Sequence, residues 1–395
     1  MPTPGVRRLL AAALLLAALP SPVLAARTMK LRFPRFTVEP HSDREVCTFF
    51  RIPMDDAFDM AQSLVVNVGV KKTIFSHHFL AWVYEGTDLN AFPADGEIVD
   101  SKACLDFGAT DTSKRTLIAG AQTRRLNTTL ESGLAQRIMP TTGSDGKKLV
   151  GVILNTHWIN SGDRRRKVAA KLKLTAAKPH TVRRLVLPIF DVFANISLKV
   201  APGRDRQVDG VWGPGLDVLP LSFGGGSVPQ GPACIVSITS HMHKRGKLFT
   251  VDLIDTATDQ VVEPDLLRTT DYSDPPQVEF HPAKPIAVGQ GLRYTCTHDN
   301  GVEKDAKFGC EEQAGVVPGI SAAQAFVESH GDRTTGAAKF CTTDADCAGF
   351  RTGRCVPANL VFGYTGDDDM CILPGGYYEA NADGGCDISG LPIIN

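Results

Sequence analysis

The sequence predicts an all-β protein made of two tandem antiparallel β-sandwich domains. Three observations predict it. Helical periodicity is scarce along the chain. Short runs rich in β-branched residues recur, separated by clusters of Gly, Pro, Asp and Asn, the pattern of sandwich strands and their turns. The chain has 395 residues, 43% of them hydrophobic and 22% charged, which is enough for two cores of ordinary size.

In chain order, the expected strands of the first domain cover residues 63–70, 149–154 and 168–174, and those of the second cover 184–192, 235–239 and 248–254. The stretch 175–180, with Pro179, breaks the pattern and marks the expected boundary. The domains are therefore expected at 27–180 and 181–395, after a signal peptide at 1–26. That leader has a basic start at Arg7 and Arg8, then a Leu/Ala run from Leu9 to Leu19. Pro20 and Pro22 break the run ahead of the small-residue site Val23-Leu24-Ala25. The apolar run is short of the ~20 residues a spanning helix needs, so cleavage and export to the periplasm or beyond are expected, with no integral membrane segment. All ten cysteines follow it, an even number in an exported chain and a sign of disulfides. The formal net charge of -1 gives no indication of nucleic acid or an anionic membrane surface as a partner.

Function points to a few side chains. His77 and His78 are adjacent, His157 follows the apolar run 149–154, His241 and His243 sit at alternate positions, and Met370 stands beside Cys371. Imidazole nitrogen with thioether sulfur suits copper, since the thioether is soft enough for Cu(I) and imidazole serves both oxidation states. On a regular strand His241 and His243 share one face, with Met242 directed away, whereas His77 and His78 point to opposite faces unless the strand bends. Six ligands of this kind suggest two copper sites, one in each half. Zinc competes, because three histidines also make a catalytic zinc site, but Met is a poor zinc ligand and no H-E-x-x-H motif is present. No G-x-S-x-G elbow supports a serine nucleophile. His41 and His180 read as loop or linker residues, and His281, His298 and His330 as solvated ones.

The ordered set H-H-F at His77, N-T-H-W from Asn155, H-M-H-K-R-G-K from His241 and G-D-D-D-M-C from Gly366 resembles the copper type II, ascorbate-dependent monooxygenases, the family of the peptidylglycine and dopamine hydroxylases. C-T-F-F-R-I-P at Cys47, L-R-Y-T-C-T-H-D-N at Leu292 and the pair Tyr377-Tyr378 extend the likeness from about Cys47 to Cys386. The resemblance implies jelly-roll-like sandwiches. It also implies an electron-storing copper on His77, His78 and His157, and a separate catalytic copper on His241, His243 and Met370, where O2 and substrate react. The implied cofactors are two coppers per chain, with ascorbate or another external reductant as co-substrate, and the implied partners are O2 and a small molecule. Also implied are disulfides Cys296–Cys371 and Cys234–Cys386. They leave Cys47 and Cys104 for each other, and Cys310, Cys341, Cys347 and Cys355 as a local set with three possible pairings. The alternative function is a non-catalytic copper carrier, which needs ligands but no substrate cleft.

Two departures from the family matter. The connection between Cys296 and Met370 is far longer and holds F-C-T-T-D-A-D-C-A-G-F-R-T-G-R-C, which reads as a disulfide-stapled insertion at about 303–360. The residues with which peptide-amidating members grip a carboxylate are replaced here by Thr239, Ile372 and Pro374, and the family's Gln two residues before the single histidine is Asn155. A peptidylglycine substrate is therefore not expected, unless the insertion brings Arg351 or Arg354 over the site.

Overall fold

The computed structural model describes residues 27–86, 89–100, 115–143, 145–216, 227–303, 306–310, 343–348, 353–361 and 369–394. The expected leader 1–26, Cys104, His330, Cys341 and Arg351 lie outside these, and the expected insertion at about 303–360 is described only in part. The architecture is all-β, with its strands in antiparallel sheets that stack as sandwiches.

In the first half, one sheet centres on Arg166–Ala176 and Phe58–Val68, and its partner sheet runs Ser42–Pro53, Lys148–Asn160, Ile74–Tyr84, Arg115–Ala121. Alternation explains the packing. Along Phe58–Val68 the residues Phe58, Met60 and Val65 turn inward, and Leu172 and Leu174 do so along Arg166–Ala176. They meet Phe79, Val152, Leu154 and Trp158 of the facing sheet in one dry core. Each fully buried side chain of this size contributes about 1.5–3 kcal/mol. The strand carrying His157 is central in its sheet, buried on both faces from Val150 to Trp158, which explains its near-continuous apolar run.

In the second half, a sheet of Leu187–Asp191, Leu373–Glu379, Ala233–Ile238 and Val278–Ile286 covers a sheet of Arg204–Trp212, Gln290–Asn300, Gly246–Asp255 and Val261–Thr269. Trp212, Phe249, Tyr294 and Tyr377 fill the core between them. Both disulfides expected for this half are present: Cys296–Cys371, and Cys234–Cys386. The first ties the centre of a sheet strand to the segment that carries Met370. Cys47 and Cys355 are also disulfide-bonded, and no described cysteine is free. Such bonding places the chain in an oxidising compartment. Among the described residues no helix is long and apolar enough to cross a membrane.

The two halves meet along several contacts. Arg184–Leu185 adds in parallel to Leu134–Ile138 of the first half. Trp82 stacks edge-on against Phe190 at 5.3 Å. Gln122 of the first half donates to the carbonyl of Ser240 in the second, at 2.7 Å.

Candidate metal centre

His77 and His78 come from Ile74–Tyr84, and a β-bulge settles how both can serve one site. Its neighbour strand pairs His157 with His78 and Trp158 with Ser76, so His77 is the extra residue. A bulge re-aims side chains that a regular strand would send to opposite faces. The bulge is held by its own carbonyl: His78 O accepts from Ser76 Oγ at 3.1 Å and from Thr156 Oγ1 at 3.2 Å. Both imidazoles are buried.

His241 and His243 lie beyond the end of Ala233–Ile238, not on it as expected. His241 forms an isolated antiparallel bridge with Ile372, each N–H to the other's carbonyl at 3.1 Å. Met242 between the histidines is turned into the core, as expected. The chain then turns tightly, with Gly246 N–H donating to His243 O. A Cβ at Gly246 would lie 2.7 Å from the Met242 side chain, so no larger residue fits beneath this turn.

The largest departure from the sequence reading concerns separation. Two distant sites were expected, but the structure brings all five histidines into one buried cluster. The His77 ring lies 4.9 Å from His241 and 4.8 Å from His243, closer than to His78 at 5.5 Å or His157 at 5.3 Å. Two sets of three have ligand nitrogens all within 4.8 Å of one another: His77, His78 and His241, and His77, His157 and His243. Each set mixes the two halves of the chain. The reason is the contact between the halves, where the bulge and the turn after Ile238 face each other. Met370 is buried and, with His78 and His241, borders one cavity.

Hydrogen bonds on the outer side of the rings fix which nitrogen faces inward. His78 Nε2 donates to Asn155 Oδ1 at 2.8 Å and lies 3.4 Å from Glu45 Oε1, while Asn155 Nδ2 donates to the same carboxylate. His157 Nε2 donates to Asp43 Oδ2 at 2.9 Å. His241 Nδ1 donates to Gln122 Oε1 at 2.8 Å. Such partners orient metal-binding imidazoles and raise their basicity. They leave Nδ1 of His78, Nδ1 of His157 and both nitrogens of His77 buried with no hydrogen-bond partner. Buried imidazole nitrogens in that condition are costly unless something binds them, and converging lone pairs fit a transition-metal cation.

Electrostatics agrees. Burial, then the crowding of His243, His241, His157 and His78, pushes the His77 pKa well below its ordinary value. Burial and then His243, His78 and His157 do the same to His241. Both are neutral at pH 7, the form that binds metal. Burial alone would raise Glu45, but the hydrogen bond from His78, the electrostatic pull of the adjoining His78 and His157 rings, and the hydrogen bond from Asn155 outweigh it and hold it at about 2.

A pH prediction follows for metal-free protein. Unfolded, His77 and His241 take up protons around their ordinary value of 6.5, whereas folded they do not. Below 6.5 the unfolded state therefore binds more protons, and stability falls as the pH falls. Above 6.5 neither state is protonated and the contribution vanishes. The melting temperature should drop between about pH 7 and pH 5. A flat profile over that range would contradict the burial of neutral imidazoles.

The residues that sequence reasoning missed are the supports. Asp43 and Glu45 alternate on Ser42–Pro53, paired to Ile159 and His157 in the neighbouring strand. Two carboxylates at alternate positions just ahead of an apolar run are a legible signal in retrospect. His298 was expected to be solvated. Instead it is fully buried in Gln290–Asn300, its Nδ1 3.3 Å from Asp369 Oδ2. Asp369 Oδ1 accepts from the backbone N–H of His243 and of Met370, each at 2.8 Å, and Oδ2 accepts from Arg245 N–H at 3.1 Å. This one carboxylate joins the His243 turn to the Met370 segment. Burial alone would raise its pKa, but the His298 imidazole and the His243 amide outweigh it. Cys296, His298 and Cys371 also converge, but the two sulfurs are bonded to each other, so that trio is no thiolate site. Asn155, where the family has Gln, is committed to His78 and Glu45.

No known family model matches this chain, and no curated protein matches it. Among solved structures it is similar to one titled "Structure of the Macrobrachium rosenbergii Nodavirus", at 11% identity and a TM-score of 0.18, over 71% of this chain and 93% of that one. A TM-score that low carries no argument about fold or function.

Proposed function

We propose that the protein is an exported copper-dependent monooxygenase, similar to the type II, ascorbate-dependent family, which hydroxylates a C–H bond of a small molecule with O2 and an external reductant such as ascorbate. The observation that carries the reading is the buried cluster of His77, His78, His157, His241 and His243, its inward nitrogens unpartnered at His77, His78 and His157, with Met370 on the same cavity. Copper, when bound there, supplies one-electron chemistry between Cu(I) and Cu(II), which five imidazoles and a thioether accommodate.

The remaining work belongs to the chain. Asp43, Glu45, Asn155 and Gln122 hold the imidazoles in the tautomers that present lone pairs inward. Asp369 fixes the spacing of His243 and Met370. The burial of all five rings keeps bulk water out, which limits loss of reactive species. In this arrangement the ligands assigned to the electron-storing copper and those assigned to the catalytic copper adjoin, so electrons need cross no long protein path. A copper carrier would need the ligands but not the adjoining cavity, and the cavity favours the enzyme. Export to the periplasm or outside the cell fits the leader and the disulfides.

Thr239 donates its hydroxyl to the Pro276 carbonyl at 2.9 Å, and Ile372 and Pro374 offer no charge. A glycine-extended peptide should therefore give no appreciable copper- and ascorbate-dependent amidation, because its carboxylate must be desolvated without a partner. Efficient glyoxylate release from such a peptide would overturn this expectation.

A further inference from the structure

We infer that the cavity beside the histidine cluster binds an uncharged, predominantly apolar small molecule, and that it excludes carboxylate and ammonium analogues of the same skeleton. The inference deepens the proposed function, on which it rests only for what happens to the ligand after binding. The cavity holds about 480 Å³, within the range of small-molecule sites. It lies between the halves and is walled by Leu80, Trp82, Leu117, Phe190, Val236 and Ile238. Its lining includes His78, His241 and Met370, so a ligand seated in it touches the cluster. Exposed Asp274 and Pro276 mark where the lining reaches solvent.

Most polar groups of the inner lining are already committed, Thr123 Oγ1 excepted, and the carboxylate of Asp274 stands at the exposed rim. Glu45 and Asn155 serve His78 and each other. Gln122 donates to Ser240 O and accepts from His241. Gln136 donates to Leu117 O at 2.6 Å. Gln62 is engaged with Asn127 and Thr129. Arg115, the buried cation of the wall, has an interaction of its own. A charged group seated deep in the cavity would have to break one of these contacts or remain unbalanced, since the neutral Thr123 hydroxyl carries no charge, and an unpaired buried charge costs far more than any apolar contact returns. An uncharged ligand with an apolar skeleton meets neither cost and gains burial against Trp82 and Phe190.

The test uses the full mature chain, freed of metal, with the neutral fluorophore N-phenylnaphthylamine as reporter. Propylbenzene, phenylpropionate and phenylethylammonium then compete for the site. The expected result is a saturable site from which propylbenzene displaces the reporter at least about tenfold better than either ion. Leu117→Trp, which fills the cavity, should abolish reporter binding while the copper content of reloaded protein stays at the parent value. Val236→Phe serves as the second filling variant should Leu117→Trp fail to fold. Equal competition by either ion, no saturable reporter binding, or binding unaffected by both fillings would each overturn the inference. Copper content is measured separately. Reporter binding without copper uptake would sink the proposed function and leave this pocket standing, whereas copper uptake without reporter binding would do the reverse.

Discussion

Replacing His77 with Ala should strip the whole cluster of copper, where replacing His157 should strip only part of it. His77 is the one residue common to both ligand sets, and its ring is the nearest neighbour of His241 and His243 across the two halves. Losing a partner that merely orients a ligand costs about 10–100-fold in metal affinity. Losing the ligand at the centre of the cluster, against which the other four rings are set, should cost more than that and take turnover with it. The fold itself should survive, because the variant also removes two buried nitrogens that have no hydrogen-bond partner. Thermal melts separate these effects. Copper at a hundred times its dissociation constant stabilises the parent by about 2.7 kcal/mol, and this increment should disappear in His77→Ala while the metal-free melt moves little. Retention of full copper content by the variant would remove His77 from the centre of the account.

The second large effect belongs to Asp369. Its carboxylate is fully buried and is the acceptor for three backbone N–H groups, with His298 beside it. Asp369→Ala strands those donors and leaves His298 without its acid. Each buried donor left unsatisfied costs about 1–3 kcal/mol, here a melting-point loss on the order of 10 °C. Copper binding should weaken as well, since the spacing of His243 and Met370 is no longer enforced. Asp369→Asn keeps one acceptor oxygen and should fall between the parent and Asp369→Ala. A parent-like melt for Asp369→Ala would show that the turn and the Met370 segment hold themselves in place.

Much of the fold was legible because its signals are local. Apolar alternation and Gly/Pro/Asp punctuation marked 149–154, 168–174 and 248–254, and strands cover them, while the run 63–70 lies in a strand that ends at Val68. The run 184–192 was read as one strand but is split by Val186 into two short ones, which pair with different sheets. The histidines and Met370 were legible as ligand types, and the Cys296–Cys371 and Cys234–Cys386 pairings came from the family resemblance. What the sequence hid was register and long-range contact. A one-residue bulge at His77 leaves no compositional mark, yet it decides where two imidazoles point. The joining of both ligand sets depends on how the halves meet, through contacts such as Gln122 to Ser240, which no local pattern announces. His298 sits in a polar string, T-H-D-N, that reads as surface. It is buried beside Asp369, far along the chain, whose Oδ2 lies 3.3 Å from its Nδ1, and Asn300 in the same string is buried because it donates to the carbonyls of Val200 and Ala358.

The central claim is that these histidines form a copper centre, and metal stoichiometry tests it most directly. Mature protein, purified under conditions that keep its disulfides, is loaded with copper, dialysed, and analysed for bound copper and zinc by mass spectrometry. The account predicts about two coppers per chain, retained against zinc competition, one on His77, His78 and His157 and one on His241, His243 and Met370 as the family resemblance implies. Protein that retains no copper, or that exchanges it wholly for zinc, would contradict it.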